Sequence, residues 1–293
     1  MENISSSNIL VTGANGQLGK ELKVLAASFP HFQFYFLSKE DLPITNFELL
    51  RNFFKGIHPA VCINCAAYTA VDRAEEERDL AFQVNGEAVG VLAAVCKEYN
   101  TQFIHISTDY VFDGTGTEPY KENDTTDPQN VYGASKLEGE RQALLMNPDS
   151  IIIRTSWVYS EFGKNFVKTM LRLLDEKEEI NVVNDQVGSP TYAFDLAEII
   201  LKIITSHPDH GGIYHYSNNG VITWYDFAIA IKELSGKSCK INPVSTDHFP
   251  TIAKRPAYSV LDKTKIQQTF GVKLKDWKES LAVCLQKIKM HTA

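Results

Sequence analysis

Residues 8–19 read NILVTGANGQLG. The apolar run closing on Thr12 has the length and composition of a short buried strand. From Asn15 to Ala27 the apolar residues Leu18, Leu22 and Leu25 recur at helical spacing. Between strand and helix, Gly13, Gly16 and Gly19 stand three apart. Glycine in such a turn lets the chain reverse tightly and brings its backbone close to a pyrophosphate. The opening turn of the helix then offers unpaired N–H groups and the positive end of the helix dipole. The spacing is G-x-x-G-x-x-G rather than G-x-G-x-x-G, and glycine at a turn also serves as plain turn chemistry. The weight of the motif comes from its place after the first strand.

Working outward, the same rhythm repeats. FQFYFL (32–37) is a second strand, and a helix is expected near Phe47 to Lys55. AVCINCAA (60–67) is a third strand, and a long helix covers Leu80 to Glu98. FIHIST (103–108) is a fourth strand, Tyr132 to Leu145 a helix and SIIIRTSW (150–157) a fifth strand. Near-continuous apolar strands alternating with helices predict an α/β fold, a doubly wound parallel sheet covered on both faces. After Trp157 helical patterns near Phe166 to Leu174, Asp195 to Thr205, Trp224 to Leu234 and Trp277 to Lys289 alternate with short strands and loops. The expected division is a dinucleotide-binding domain over 1–156 and a mainly substrate-binding lobe over 157–293, with parts of 180–205 returning to the first.

Bulk properties narrow the partners. A net charge of −7 over 293 residues argues against nucleic acid or an anionic membrane. Met1 to Asn8 is polar and does not read as a signal peptide. No apolar run is seen to approach the ~20 residues that span a bilayer. The expectation is a cytoplasmic protein with no membrane partner, its oligomeric state open, a homodimer included. Five cysteines fit a reducing compartment, and the Cys62/Cys65 C-x-x-C lies in a strand, where it reads as core packing. No metal ligand set is expected.

Three further motifs carry chemistry. Tyr132 and Lys136 lie four apart on one helix face, where an ammonium favours the ionised form of a phenol. A solvated helix face would show the same pair. Ser107, Thr108 and Asp109 close the fourth strand, at the sheet edge where ligands of doubly wound folds bind, although hydroxyls there also cap loops. The second strand ends in Ser38 and Lys39, with Glu40 and Asp41 following. A hydroxyl and an ammonium there suit a 2′-phosphate, so NADPH is the expected cofactor, with NADH as the alternative.

Taken in order, these motifs resemble the extended short-chain dehydrogenase/reductase superfamily and, within it, the dTDP-4-dehydrorhamnose reductases. The stretches VTGANGQLG, NCAAYTAVDRAE, STDYVFDGTG, NVYGASKLEGE, RTSWVY, NFVKTML, NDQVGSPT and RPAYSVLD carry the resemblance. It implies reduction of the 4-keto group of a nucleotide sugar. Gly16, Gln17 and Leu18 would line the pyrophosphate, and Ala67, Tyr68 and Thr69 the cofactor path. Thr108 and Asp109 would contact the sugar, with Tyr132 as proton donor, Lys136 its partner, hydrogen-bonding the cofactor ribose, and Trp157 part of the substrate wall. Arg255 is the candidate for the diphosphate, against the reading of an ordinary surface arginine. A related epimerase or dehydratase, or a non-catalytic NADP-binding regulatory subunit, is the alternative. Some relatives hold magnesium through glutamates at a dimer contact. Glu21 matches one such position, but Phe194 stands where a second is sought.

Overall fold

The computed structural model describes residues 7–206 and 210–292. Strands β1 (Ser7–Thr12), β2 (Phe32–Leu37), β3 (Val61–Asn64), β4 (Gln102–Thr108) and β5 (Ile151–Thr155) form one parallel sheet with Gly212–His215. Its order is Gly212–His215, β5, β4, β3, β1, β2. Every residue of β3 and β5 is buried, which is why those segments open as apolar runs, VCI and III. Ile9, Val11, Ile63, Ile104, Ile151 and Ile153 face one helical layer, and Leu10, Cys62, Phe103 and Ile152 the other. Strand order reverses between β1 and β3, and a ligand crevice is expected beyond the strand ends at that switch point.

Helices α1 (Gln17–Ala26) and Ala193–Ser206 cover the first face. The second is covered by α2 (Phe47–Ile57), Ala88–Glu98 and Val131–Met146. The long helix expected over Leu80 to Glu98 is interrupted: Arg78–Phe82 runs into a π-helical turn, Gln83–Glu87, before Ala88–Glu98. This run, Arg78–Glu98, is the one helix among the described residues long and apolar enough to cross a membrane by composition. That corrects the reading that no such stretch exists. Its apolarity has a core explanation, because Ala88, Val89, Leu92, Ala93, Val95 and Cys96 pack under the sheet.

The later residues build a second core from Phe166–Glu176, Trp224–Ser235, Trp277–Thr292 and a parallel strand pair, Glu179–Val183 with Lys240–Val244. Helix Trp224–Ser235 starts at a capping box between Thr223 and Asp226 and ends at Gly236 in the left-handed conformation. The chain crosses back to the sheet in between, through Ala193–Ser206 and Gly212–His215.

Candidate active site

The glycine turn is shaped by close approach. Gly13 has φ +67°, and a Cβ there would meet the Ala66 nitrogen at 2.6 Å, so only glycine fits beneath β3. A Cβ on Gly19 would meet the Gly13 carbonyl oxygen at 2.6 Å, which fixes how closely α1 approaches the turn. Helix α1 begins at Gly16, with no side-chain cap and no acidic residue in its first turn. Its N–H groups are therefore not covered by the chain's own carboxylates, and the turn fits a dinucleotide pyrophosphate. The Leu18 side chain is core, so only its backbone could serve a ligand. Gln17 instead reaches the second lobe: its Oε1 accepts from Asn165 at 2.8 Å.

The β3 end is pinned from an unexpected quarter. Asn85, buried in the π-helical turn, accepts from the Tyr68 N–H at 2.8 Å and donates to the Tyr68 carbonyl at 3.0 Å and to Ser135 at 3.0 Å. It thereby ties the Ala67-Tyr68-Thr69 segment to the helix that carries Tyr132. π-turns inside α-helices recur at functional sites. The Tyr68 hydroxyl donates to Glu77 at 2.6 Å.

Beyond the β4 end, Thr108, Asp109, Tyr110, Tyr132 and Arg255 come together. Asn130 caps helix Val131–Met146, accepting from Gly133 N–H at 2.8 Å. Gly133 and Gly139 let that helix lie directly on the carbonyls of Tyr110 and Asn85. The Tyr132 and Tyr110 rings meet edge to face at 5.7 Å. Burial pushes the Tyr132 phenol up, against a hydrogen bond with Thr108 that pulls the other way, so the phenol is a neutral donor. Lys136 does not supply the expected tuning in this arrangement. Its Nζ donates to the Ile106 carbonyl at 2.6 Å and lies 3.2 Å from His105 Nε2. Burial lowers the lysine to about 8.

Asp109 is buried, with Oδ1 accepting from Thr108 at 3.0 Å and Oδ2 without a donor among the described residues. Burial pushes it up to about 6, opposed by the polar groups of Ser259 and Thr108 nearby. An orphaned carboxylate oxygen beside a catalytic-type tyrosine is a place for a ligand hydroxyl. Arg255 donates to Asp72 at 2.6 Å and to the Tyr110 hydroxyl at 3.3 Å, so it sits at the mouth of this cluster rather than on open surface. Trp157 holds the left-handed conformation at φ +48° and stacks on Trp224 at 3.6 Å. Its indole lies so close to Gly188 that a Cβ there would meet it at 2.6 Å. Strain of this kind persists where the surroundings impose it.

Other expected residues are engaged elsewhere. Ser38 is not a free hydroxyl: Asp41 accepts from its hydroxyl at 2.7 Å and from its N–H at 2.9 Å, closing a tight local turn. Lys39 is exposed next to it. The magnesium reading also fails on donor chemistry. Burial pushes Glu21 up to about 8, and Ser160 donates to it at 2.7 Å. Glu161 accepts from the Tyr192 hydroxyl at 2.9 Å, and the Lys287 ammonium lies 3.3 Å from it and 3.7 Å above the Phe194 ring. A protonated carboxyl, an aromatic face and a resident ammonium do not fit a divalent cation.

Sequence reasoning missed Asn85, His105 and the buried pair Glu140–Arg154. That pair is bidentate at 2.9 and 2.7 Å, and Ser107 adds a donor to Glu140 at 2.5 Å. His105 and Arg154 were visible only as polar residues in apolar strands, and Asn85 and Glu140 as ordinary polar helix positions, with no local clue to their partners.

Comparison with known proteins gives the family. The RmlD substrate binding domain model matches residues 7–290. A dTDP-4-dehydrorhamnose reductase of Aggregatibacter actinomycetemcomitans is 44% identical over 94% of this chain and 97% of its own length. The spore coat polysaccharide biosynthesis protein SpsK of Bacillus subtilis is 45% identical over 96% of this chain and 97% of its own. The crystal structure of dTDP-4-dehydrorhamnose reductase from Bacillus anthracis, in complex with NADP, superimposes with a TM-score of 0.93 at 39% identity, covering 96% of this chain and 99% of that one. With matches of this extent on both sequence and fold, the chain belongs to the RmlD substrate binding domain family, among the dTDP-4-dehydrorhamnose reductases.

Proposed function

We propose that this protein reduces the 4-keto group of dTDP-4-dehydro-L-rhamnose to give dTDP-L-rhamnose, using NADPH. When bound, NADPH supplies the hydride that goes to carbon four. Tyr132 gives its phenolic proton to the carbonyl oxygen, which becomes the 4-hydroxyl. The observation that carries the reading is the neutral Tyr132 phenol beside Thr108, at the sheet edge next to an unpaired Asp109 oxygen. Thr108 orients the ketone oxygen, and Asp109 Oδ2 accepts from a sugar hydroxyl. Positioning of this kind and a matched acid are what the protein adds to a redox cofactor. Arg255 would leave Asp72 to meet the diphosphate, and Trp157, backed by Trp224, would form a wall for the sugar. The choice of NADPH is supported by the NADP held by the Bacillus anthracis relative and by Lys39.

The test is to mix protein, NADPH and dTDP-4-dehydro-L-rhamnose and follow the reduced-nicotinamide absorbance. Substrate-dependent oxidation with dTDP-L-rhamnose as product is expected. Unchanged NADPH with bound nucleotide sugar would instead identify a regulatory subunit.

A further inference from the structure

Register aligns a row of polar side chains on one face of an otherwise apolar sheet: Thr12 lies beside Asn64, and Asn64 beside His105. All three are buried, and Lys136 closes over them from helix Val131–Met146. Thr12 donates to Asn64 Oδ1 at 2.6 Å, and the Ala66 N–H donates to the same oxygen at 3.2 Å. Asn64 Nδ2 stands 3.0 Å from His105 Nδ1, and His105 Nε2 stands 3.2 Å from Lys136 Nζ.

Donor and acceptor counting gives this chain one direction. The Ala66 N–H can only donate, so it fixes which end of the Asn64 amide is oxygen. The Asn64 NH₂ must then face His105, whose Nδ1 has to accept. A neutral imidazole that accepts at Nδ1 carries its hydrogen on Nε2. That hydrogen points at Lys136 Nζ, and an ammonium has no lone pair to receive it. A doubly protonated ring is ruled out by the same surroundings. Burial, and secondarily the lysine, hold His105 well below its ordinary value. The filling that keeps each of these approaches as a hydrogen bond has Lys136 as a neutral amine, accepting from His105 and donating to the Ile106 carbonyl.

We infer that His105, oriented by Asn64, is a positioning residue that stores Lys136 as an uncharged amine in the cofactor-free protein at alkaline pH, and that in this range binding of NADP(H) draws one proton from solvent on to its Nζ. The charged lysine then leaves His105 for cofactor hydroxyls near Tyr132, so in this range the cation forms only when the site is loaded. This rests on reading Lys136 as the lysine that meets the cofactor. Among the described residues, the groups around Nζ do not outweigh its burial. Cys65, packed from the β3 end, is pushed up by burial and stays a thiol. Tyr132, one turn back, is neutral. Glu140, one turn on, is already shared between Arg154 and Ser107. Burial lowers the lysine to about 8, so the amine is the resting form only above that pH.

The experiment is titration calorimetry of the full chain with NADP⁺ in buffers of different ionisation enthalpy, which reads protons taken up on binding. Uptake is expected to be small near pH ~6.5 and to approach one proton near pH ~9, with affinity falling up to about tenfold per pH unit between. His105→Gln offers a carbonyl to a charged lysine, so its uptake near pH ~9 falls to near zero. Asn64→Asp accepts from Nδ1–H and frees Nε2 to accept, so it abolishes uptake by the opposite route, without touching the ring. Lys136→Met must lose the uptake as well. NADP⁺ binding without proton uptake, or uptake that survives in folded His105→Gln or in Lys136→Met, overturns the inference and leaves the cofactor reading standing. If NADP⁺ does not bind at all, the cofactor reading itself falls and takes the inference with it.

Discussion

At Glu21 a carboxyl is wholly buried, with one oxygen held by Ser160 and Oε2 without a donor among the described residues. Its raised value means that the native state keeps a proton which the unfolded chain releases above the ordinary carboxyl range. The native state binds more protons than the unfolded one in this window. Stability from this group is therefore lost as pH climbs from about 4.5 to about 8, and is flat above that. Glu21→Gln copies the protonated form. We expect melting temperatures equal to wild type near pH ~4, but several degrees higher near pH ~9. A variant less stable than wild type in alkali would show that the ionised carboxylate is the native form. Nothing in the sequence near Glu21 signals this. Its partner Ser160 lies 139 positions away, and helical spacing alone makes Glu21 an ordinary polar position.

Helix Val131–Met146 is the element on which the site depends, and two glycines set its depth. A Cβ on Gly139 would collide with the Asn85 carbonyl, in the turn that pins Tyr68. Gly139→Ala should therefore lift the helix. We expect a stability loss of about 1–3 kcal/mol and weaker NADPH binding, read by melting and by fluorescence titration. Unchanged binding would show that the turn yields instead of the helix. Asn85→Ala removes both backbone partners of Tyr68 and is expected to cost about 1–3 kcal/mol while raising the Kd for NADPH. The strands and most helices were legible from apolar periodicity, since packing imposes it on each segment separately. The π-helical turn was not legible. The turn is held by a contact with the Tyr68 backbone, seventeen positions away, that local periodicity does not show.

On the scale of the whole molecule, two cores meet around the sheet's carboxyl edge, with Gln17 reaching Asn165 across the junction. The glycine turn is on the sheet side, while Trp157 and Trp224 pack with the second core. The division of labour predicts that Trp157→Ala raises KM for the sugar nucleotide far more than for NADPH. Equal losses for both ligands, or a collapse in melting temperature, would make the indole a packing residue only. The order of motifs along the chain was enough to point to the end of β4 as the candidate site. The engagement of Ser38 by Asp41, of Arg255 by Asp72 and of Lys136 by His105 required the folded chain, because each depends on a partner's direction rather than on spacing. The central claim is that the Tyr132 phenol delivers the proton, and it is tested most directly by Tyr132→Phe at saturating NADPH and substrate. Turnover is predicted to fall by about 10²–10⁴-fold with NADPH affinity unchanged, whereas a rate within about threefold of wild type would contradict the account.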